Sequence, residues 1–313
     1  MELLERNKGC TITIGDINLQ VYNSIGYGGT CDIYYCSFDS KKYAAKFLKP
    51  KQIYGSKNAY KAAKACLYHE SRTLENLNHP NIVTLIQPSV KGQMRTNEIT
   101  MSAHFYILEL LEGGDLISYA QIEPLTENEL RYYGLQIIEA LIYLHSKGLA
   151  HRDIKPENIV LSNDFSCAKL IDFGFCCFSD EHYGTKPKGT LEYLSPEVNA
   201  LLPCDLNKSD VFSLGVTFFA LLTGRFPCRE RCTQCDPFYR LVCEKRYKDF
   251  WQKAEKVVIL SESCKLLLQD MLHQGASKRP TMEKLKEYEW FNVKGDIKEE
   301  VIKRMSKRKR QAQ

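Results

Sequence analysis

Apolar residues in the first part of the chain fall in short alternating runs. Across residues 18–49, Val21, Ile33, Tyr35, Ala45 and Phe47 occupy such runs, broken by the glycine-rich stretch 26–29. A period of two predicts β-strands joined by tight turns. Residues 58–77 change to helical spacing, with Ala62, Ala63, Cys66, Leu67, Leu74 and Leu77 on related faces. Short strands are expected again over 82–87 and 104–110, and the polar stretch from Pro88 to Ala103 reads as a loop. After Gly113-Gly114 the pattern is helical. Thr126 and Glu129 form a capping-box signature, Leu130, Tyr133, Ile137, Leu141 and Leu144 recur at helical spacing, and Gly148 supplies a stop. From Ser209 to Leu222 apolar residues lie all round, which predicts a buried helix closed by Gly224. Further helices are expected over 261–273 and 281–289. No internal repeat is visible. A small strand-rich part, a linker near Glu109–Gly114 and a larger helical part make this an α+β chain.

The length, 313 residues, suits one large domain or two packed lobes. Hydrophobic residues at 44% and charged residues at 26% are ordinary for a folded soluble protein. The run Leu214–Leu222 is too short to span a bilayer. The opening Met-Glu-Leu-Leu-Glu-Arg has acids and no apolar segment, so it does not read as a secretory signal. The expectation is an intracellular protein, in cytoplasm or nucleus, whose 13 cysteines are reduced thiols. The net charge of +5 is unevenly placed: Lys303, Arg304, Lys307, Arg308, Lys309 and Arg310 supply six positive charges at the end, leaving residues 1–300 at −1.

Phosphoryl transfer needs a phosphate cradle, a cation for the phosphates, magnesium ligands and a group that orients the nucleophile. Residue types suited to each occur here in order. Gly26, Gly28 and Gly29 lie between two strands, where backbone N–H groups can approach phosphate, although any hairpin favours glycine. Lys46 follows one strand later, and Glu70 on the next helix is a suitable partner. Asp153 and Asn158 stand in the run His151-Arg152-Asp153-Ile154-Lys155-Pro156-Glu157-Asn158. Asp172, in Asp172-Phe173-Gly174, offers a second hard oxygen ligand.

The run from His151 to Asn158 resembles, without a gap, the catalytic loop of eukaryotic Ser/Thr protein kinases. The resemblance extends over about residues 20–292. It takes in Lys46 in Tyr43-Ala44-Ala45-Lys46, the phrase Leu74–Val83, Asp172–Gly174 and Gly189–Glu197. It departs at Cys31, where the family has a third loop glycine, and at Ser195, where alanine is frequent. It implies a bilobal protein-kinase fold: an N-terminal extension 1–17, a kinase domain 18–292 (N-lobe 18–109, hinge 110–114, C-lobe 115–292) and a basic tail 293–313. It also implies roles. Asp153 orients the substrate hydroxyl and takes its proton, Lys155 neutralises the phosphate in flight, and Lys46 pairs with Glu70. Asn158 and Asp172 hold Mg²⁺, with Mn²⁺ as an alternative. Ile25, Gly26, Gly28, Ile33, Ala44, Leu108 and Val160 line the ATP site, with Glu109 and Leu111 offering backbone hydrogen bonds to adenine. Glu197 pairs with Arg279, Asp210 anchors the catalytic loop, and Leu74, Leu85, His151 and Phe173 stack as a spine. For each apolar residue simple core packing is the competing reading.

Lys155 and Thr190 point, within the same resemblance, to serine or threonine as acceptor. Asp115 and Glu157 imply arginine or lysine upstream of the target, and Leu191 and Leu194 an apolar pocket after it. Arg152 before the catalytic aspartate raises activation by phosphate, with Thr185 and Tyr183 as candidates. Lys186 stands at the usual acceptor position, so a constitutively ordered segment is an equal alternative. The phrase Cys235–Val242 resembles baculoviral and protist kinases. That implies a small basic Ser/Arg-rich DNA-packaging protein as substrate and association with virions.

Other readings stay open. Cys228, Cys232, Cys235 and Cys243 suit structural zinc or chance clustering. The tail is a solvated disordered end, a nucleic-acid or import-receptor contact, or a pseudosubstrate through Ser306. The competing functional class is a pseudokinase or scaffold, which loss of Lys46, Asp153 or Asp172 would favour; all three are present. A small-molecule kinase of related fold would lack the Gly189–Glu197 segment.

Overall fold

The computed structural model of the chain describes residues 10–14, 17–95, 100–179, 188–256, 258–292 and 295–312. The chain divides into two compact units: Met1–Asn78 with Val83–Leu111, and His79–Ile82 with Glu112–Gln313.

In the first unit six antiparallel strands close a barrel: β1 (Cys10–Ile14), β2 (Ile17–Tyr27), β3 (Cys31–Phe38), β4 (Lys41–Leu48), β5 (Leu85–Arg95) and β6 (Thr100–Glu109), in the order β1-β2-β3-β4-β6-β5 with β1 also on β5. Alternation along the strands decides what fills it. Ile12, Leu19, Val21, Tyr34, Cys36, Ala45, Phe47, Met94, Phe105 and Ile107 point inward and form its core. The neighbours that alternate with them, Ile33, Ala44, Lys46 and Leu108, lie on the opposite face, since directly paired residues share a face. Helix α1 (Lys57–Glu75) contains no glycine or proline, opens on Ser56, whose hydroxyl accepts from Ala59 N–H, and buries Ala63, Leu67, Glu70, Ser71 and Leu74. That spacing is one helical face, and it packs on β5.

Two expectations are corrected here. Pro88–Arg95 and Thr100–Ala103 are not loop: β5 and β6 pair antiparallel through them, from Leu85↔Leu108 to Arg95↔Thr100. The alternation is present but disguised, because glycine and methionine fill the inward positions 92 and 94 between exposed Lys91, Gln93 and Arg95. Register shifts between Leu85 and Val90 absorb Pro88, which has no N–H for a ladder. Residues 10–14, placed in an N-terminal extension, are a barrel strand: Ile12 is fully buried opposite Met94.

The second unit is mainly helical: α2 (Leu116–Ile122), α3 (Glu127–Ser146), α4 (Pro196–Asn199), α5 (Leu206–Thr223), α6 (Arg240–Cys243), α7 (Tyr247–Ala254), α8 (Glu262–Met271), α9 (Met282–Leu285) and α10 (Lys298–Ala312). The capping box at Thr126 and Glu129 is present in both directions. Every residue of α5 from Ser209 to Thr223 is buried, as the all-round apolar pattern predicts, and Gly224 ends it in the left-handed conformation (φ 66°). Two short ladders hold the loops that matter below: β7 (Leu149–Ala150) with β10 (Cys177–Phe178), and β8 (Ile159–Leu161) with β9 (Ala168–Leu170). The helix expected over 281–289 stops at Leu285 and resumes as a 3-10 turn at Glu289–Phe291.

The tail departs most from expectation. Residues 298–312 are helical, with Val301, Met305 and Arg308 buried on one face. Spacing of four and then three residues makes that face an amphipathic stripe, hidden in the sequence because its third member is an arginine. Ser306 gives its hydroxyl to the Ile302 carbonyl within this helix (2.8 Å), and the disordered-end reading does not describe it.

Candidate active site

In the barrel unit the Lys46 ammonium lies 2.9 and 2.8 Å from the two carboxylate oxygens of Glu70. Strand β4 aims Lys46 away from the core, and the buried face of α1 brings Glu70 to it. Glu70 is 4% exposed, so the charge pair is largely withdrawn from water and its two hydrogen bonds hold the ammonium in place. Ile33 pairs with Lys46 and Gly26 with Ile33, so the glycine turn is continuous with the lysine's face. Gly28 is required: a Cβ there would meet the Cys31 carbonyl oxygen at 2.8 Å, whereas one at Gly29 would meet nothing within 4 Å. Ala44 and Leu108 are buried, Ile33 is half-buried and Ile25 is exposed. The Glu109 carboxylate accepts from the Thr84 N–H (2.7 Å) and its N–H donates to the Thr84 carbonyl (3.0 Å), which fixes the end of β6 before Leu111.

A second charged contact in this unit is not apparent from the sequence pattern. Asp32, 1% exposed on β3, lies 3.3 Å from the Lys49 ammonium. Beside it the Thr30 carbonyl accepts from the Tyr54 hydroxyl (2.6 Å) and from Lys49 N–H (3.0 Å). The far side of the glycine turn is thereby tied down where Cys31 replaces a glycine. An aspartate one residue after the turn and a lysine one strand away were the available signals.

In the helical unit the run between β7 and β8 is wound around Asp153. Asn158 Nδ2 donates to the Asp153 carbonyl (2.8 Å) and to its Oδ2 (3.1 Å). Lys155 Nζ lies 2.9 Å from the same Oδ2. Thr190 donates to Oδ1 from both its N–H and its hydroxyl, each at 2.9 Å, and Lys155 Nζ is 2.7 Å from that hydroxyl. A carboxylate held at both oxygens keeps one orientation. The backbone beneath it hangs on buried Asp210, which accepts from His151 N–H (2.8 Å) and Arg152 N–H (2.9 Å) and faces His145 Nε2 (2.9 Å). Arg152 adopts φ 71°, a left-handed conformation that costs a non-glycine residue free energy and persists only because these bonds hold it.

His151 is fully buried and stacks edge-on against Phe173 with ring centroids 4.9 Å apart. Burial lowers its pKa despite the raising influence of Asp210, Asp153 and Asp172. Its hydrogen bonds agree with a neutral ring: Nδ1 accepts from Asp153 N–H (3.3 Å), which leaves Nε2 as the donor to the Ile171 carbonyl (3.2 Å). Asp172 follows directly with φ 60°, and Ile171 N–H bonds the Asn158 carbonyl (2.9 Å), so the backbones carrying Asn158 and Asp172 run side by side. With Nδ2 of Asn158 given to Asp153, its amide oxygen is the end left for a cation. Among the described residues no group of three or more His, Cys, Asp or Glu is placed to hold a metal. Mg²⁺ takes few protein ligands, keeping waters and substrate phosphates as the rest, so a pair of oxygen ligands fits it. When bound, the ion neutralises charge on phosphate oxygens.

The segment that follows is braced from below. Arg279 grips Glu197 with two hydrogen bonds of 2.6 and 2.8 Å, donates to the His273, Lys208 and Gln274 carbonyls, and lies over the Phe212 ring. Burial raises the Glu197 pKa, but the Arg279 bonds and charge outweigh it and the net shift is downward. Ser195 is fully buried and pairs with the Ser209 hydroxyl (3.0 Å), which accounts for a serine where alanine is frequent. Leu191 is exposed, while Leu194 is buried; Glu157 is exposed, and Asp115 is half-buried with one oxygen capping α2 at Ser118 N–H (2.8 Å). Thr185, Tyr183 and Lys186 lie outside the described residues. The cysteine cluster does not assemble as a metal site. Cys228 and Cys232 sulfurs come within 2.9 Å of each other in the interior, but Cys235 is exposed.

A family model described as the protein kinase domain matches residues 19–291. The chain belongs to the protein kinase family. It is 30% identical over 286 residues to maternal embryonic leucine zipper kinase of Danio rerio, covering 87% of this chain and 37% of that protein. It is 30% identical over 278 residues to serine/threonine-protein kinase chk1 of Schizosaccharomyces pombe, covering 85% and 52% respectively. Over 197 residues it is 36% identical to RAC serine/threonine-protein kinase of Drosophila melanogaster, covering 61% and 29%. The chain thus spans between about a third and a half of these relatives' lengths. The kinase-domain match ends at residue 291, before α10 begins at Lys298.

Proposed function

We propose that this chain is an ATP-dependent protein serine/threonine kinase. The observation that carries the reading is the Asp153 carboxylate, held on both oxygens by Asn158, Lys155 and Thr190. In the reaction the acceptor hydroxyl attacks the terminal phosphorus of ATP. A new P–O bond forms, the bond to the leaving diphosphate breaks, and the hydroxyl proton passes to Asp153. Lys155 balances charge on the transferred group, and Lys46, oriented by Glu70, binds the nucleotide's phosphates. Asn158 and Asp172 supply the protein oxygens for Mg²⁺. The Lys155–Thr190 contact supports serine and threonine as acceptors.

For substrate context we propose basic residues upstream of the target. Exposed Glu157 supports this most directly, and Asp115 contributes charge although one of its oxygens is spent on a helix cap. Small Ser/Arg-rich proteins of the DNA-packaging type would be the extreme of this chemistry. Regulation by phosphate at Thr185 rests on Arg152 alone. In the tail, Lys303, Lys307 and Arg310 are the exposed residues available to a nucleic acid or an import receptor.

The test is phosphotransfer from ATP to an arrayed peptide library. Wild type should label serine and threonine peptides with upstream arginine, and Asp153→Asn should reduce transfer by about a thousandfold or more while preserving the fold. Absence of transfer to any peptide by the wild-type protein would favour the scaffold reading.

A further inference from the structure

Helix α10 carries two sets of basic residues with different surroundings. Lys303, Lys307 and Arg310 are exposed, whereas Arg304, Arg308 and Lys309 turn toward the body of the helical unit. Arg308, 3% exposed, donates to the Glu123 (2.6 Å) and Pro124 (3.1 Å) carbonyls and to Oε2 of Glu129 (3.0 Å). Those carbonyls follow the C-terminus of α2, where carbonyl groups lack partners within the helix. Glu129 is the acid of the α3 capping box, so one buried carboxylate joins α2, α3 and α10.

Lys309 reaches further. Its ammonium donates to the Glu112 carbonyl (2.7 Å) and lies over the Phe165 ring (5.6 Å). Glu112 begins a segment whose polar backbone is engaged at successive positions. Its N–H donates to Asn163 Oδ1 (2.7 Å), Gly113 N–H donates to the Leu161 carbonyl (3.0 Å), and the Gly114 carbonyl accepts from Leu161 N–H (2.9 Å). The Gly113 carbonyl accepts from the Tyr119 hydroxyl. Gly113 lies so close to β8 that a Cβ would meet the Leu161 carbonyl oxygen at 2.3 Å. This segment ends in Asp115.

We infer that α10 is a positioning element for Glu112–Asp115. Lys309 is the positioning residue, Arg308 is the anchor that seats the helix, and the beneficiary is the Asp115 carboxylate as a subsite for a basic side chain of the substrate peptide. The inference rests on the reading of this chain as a kinase with a taste for basic contexts. The set of fixed contacts from Lys309 to Glu112 to Asp115 stands apart from that reading and is measurable without turnover.

The experiment uses the full chain with Lys309→Met and Lys309→Arg, leaving the buried Arg308–Glu129 pair intact. Lys309→Met should accelerate amide hydrogen exchange at residues 112–116 and raise KM for an arginine-containing peptide by about fivefold to tenfold. It should leave kcat and the KM of an alanine-substituted peptide unchanged, and Lys309→Arg should restore both readouts. A lowered Tm with unchanged exchange and KM would mean a merely structural contact and overturn the inference. Equal KM increases for both peptides would overturn the assignment to Asp115. If wild type transfers no phosphate, the kinase reading fails, and unchanged exchange in Lys309→Met would overturn the positioning role separately.

Discussion

Thr190 shows at the scale of a single residue how acceptor geometry is set. Its hydroxyl touches both Asp153 and Lys155, the acid that receives a proton and the cation that meets the phosphate. Replacing it with valine keeps the shape and removes both contacts. Thr190→Val should lower kcat about tenfold to a hundredfold at nearly constant KM, with Thr190→Ser close to wild type, read by steady-state kinetics. The individual chemistry-bearing residues were legible because acids, amides and lysines at fixed spacing leave few alternatives. Lys46 and Glu70 meet, and Asp153, Lys155, Asn158 and Thr190 gather as one group. Asp32, Lys49 and Tyr54 were not legible, since an aspartate and a lysine on adjacent strands look like solvated charges until burial is known.

Between elements, buried charge decides stability. Arg279 joins the segment around α4 to the start of α5 and to the turn after α8 through Glu197 and three carbonyls. Glu197→Gln would leave a buried guanidinium without its counter-charge, at a cost of about 3–5 kcal/mol near neutral pH. The sign with pH follows from the lowered Glu197 pKa. The pair's contribution is complete above the unfolded value of 4.5 and is lost as pH falls through the lower folded value. Urea midpoints of wild type and Glu197→Gln should therefore lie far apart at pH 7 and converge toward pH 3. His151 adds a second slope of the same sign, because a buried imidazole with lowered pKa loses stability once pH falls below its ordinary 6.5. At this scale the sequence was legible wherever one period persisted, as in α3 and α5. It misled at β5, where glycine and methionine stand in for aliphatic residues, and at β1, too short a run to separate from an extension.

For the molecule as a whole, a chain near neutrality over its first 300 residues ends in six positive charges, three of which turn inward. Composition alone argued for a solvated end. The outcome was set by acids far away in sequence: Glu129 and Glu123 receive Arg304 and Arg308. No local pattern encodes such a pairing. Removing residues 296–313 would strand Glu129 and uncover the surface beneath Val301 and Met305. It should lower Tm by about 10 °C in a thermal melt, while Lys303→Glu, Lys307→Glu and Arg310→Glu together should shift it by only about 1–2 °C.

The joining of α3 to α10 also imposes an order on synthesis. Glu129 leaves the ribosome 179 residues before the arginine that neutralises it in the interior. At ordinary elongation rates that is a wait of roughly 10–40 s. During that interval α3 can cap its own start through Thr126, but its acid has no reason to leave water. The helical unit of a nascent chain would therefore stay open at this corner, and the last turns of α10 would close it.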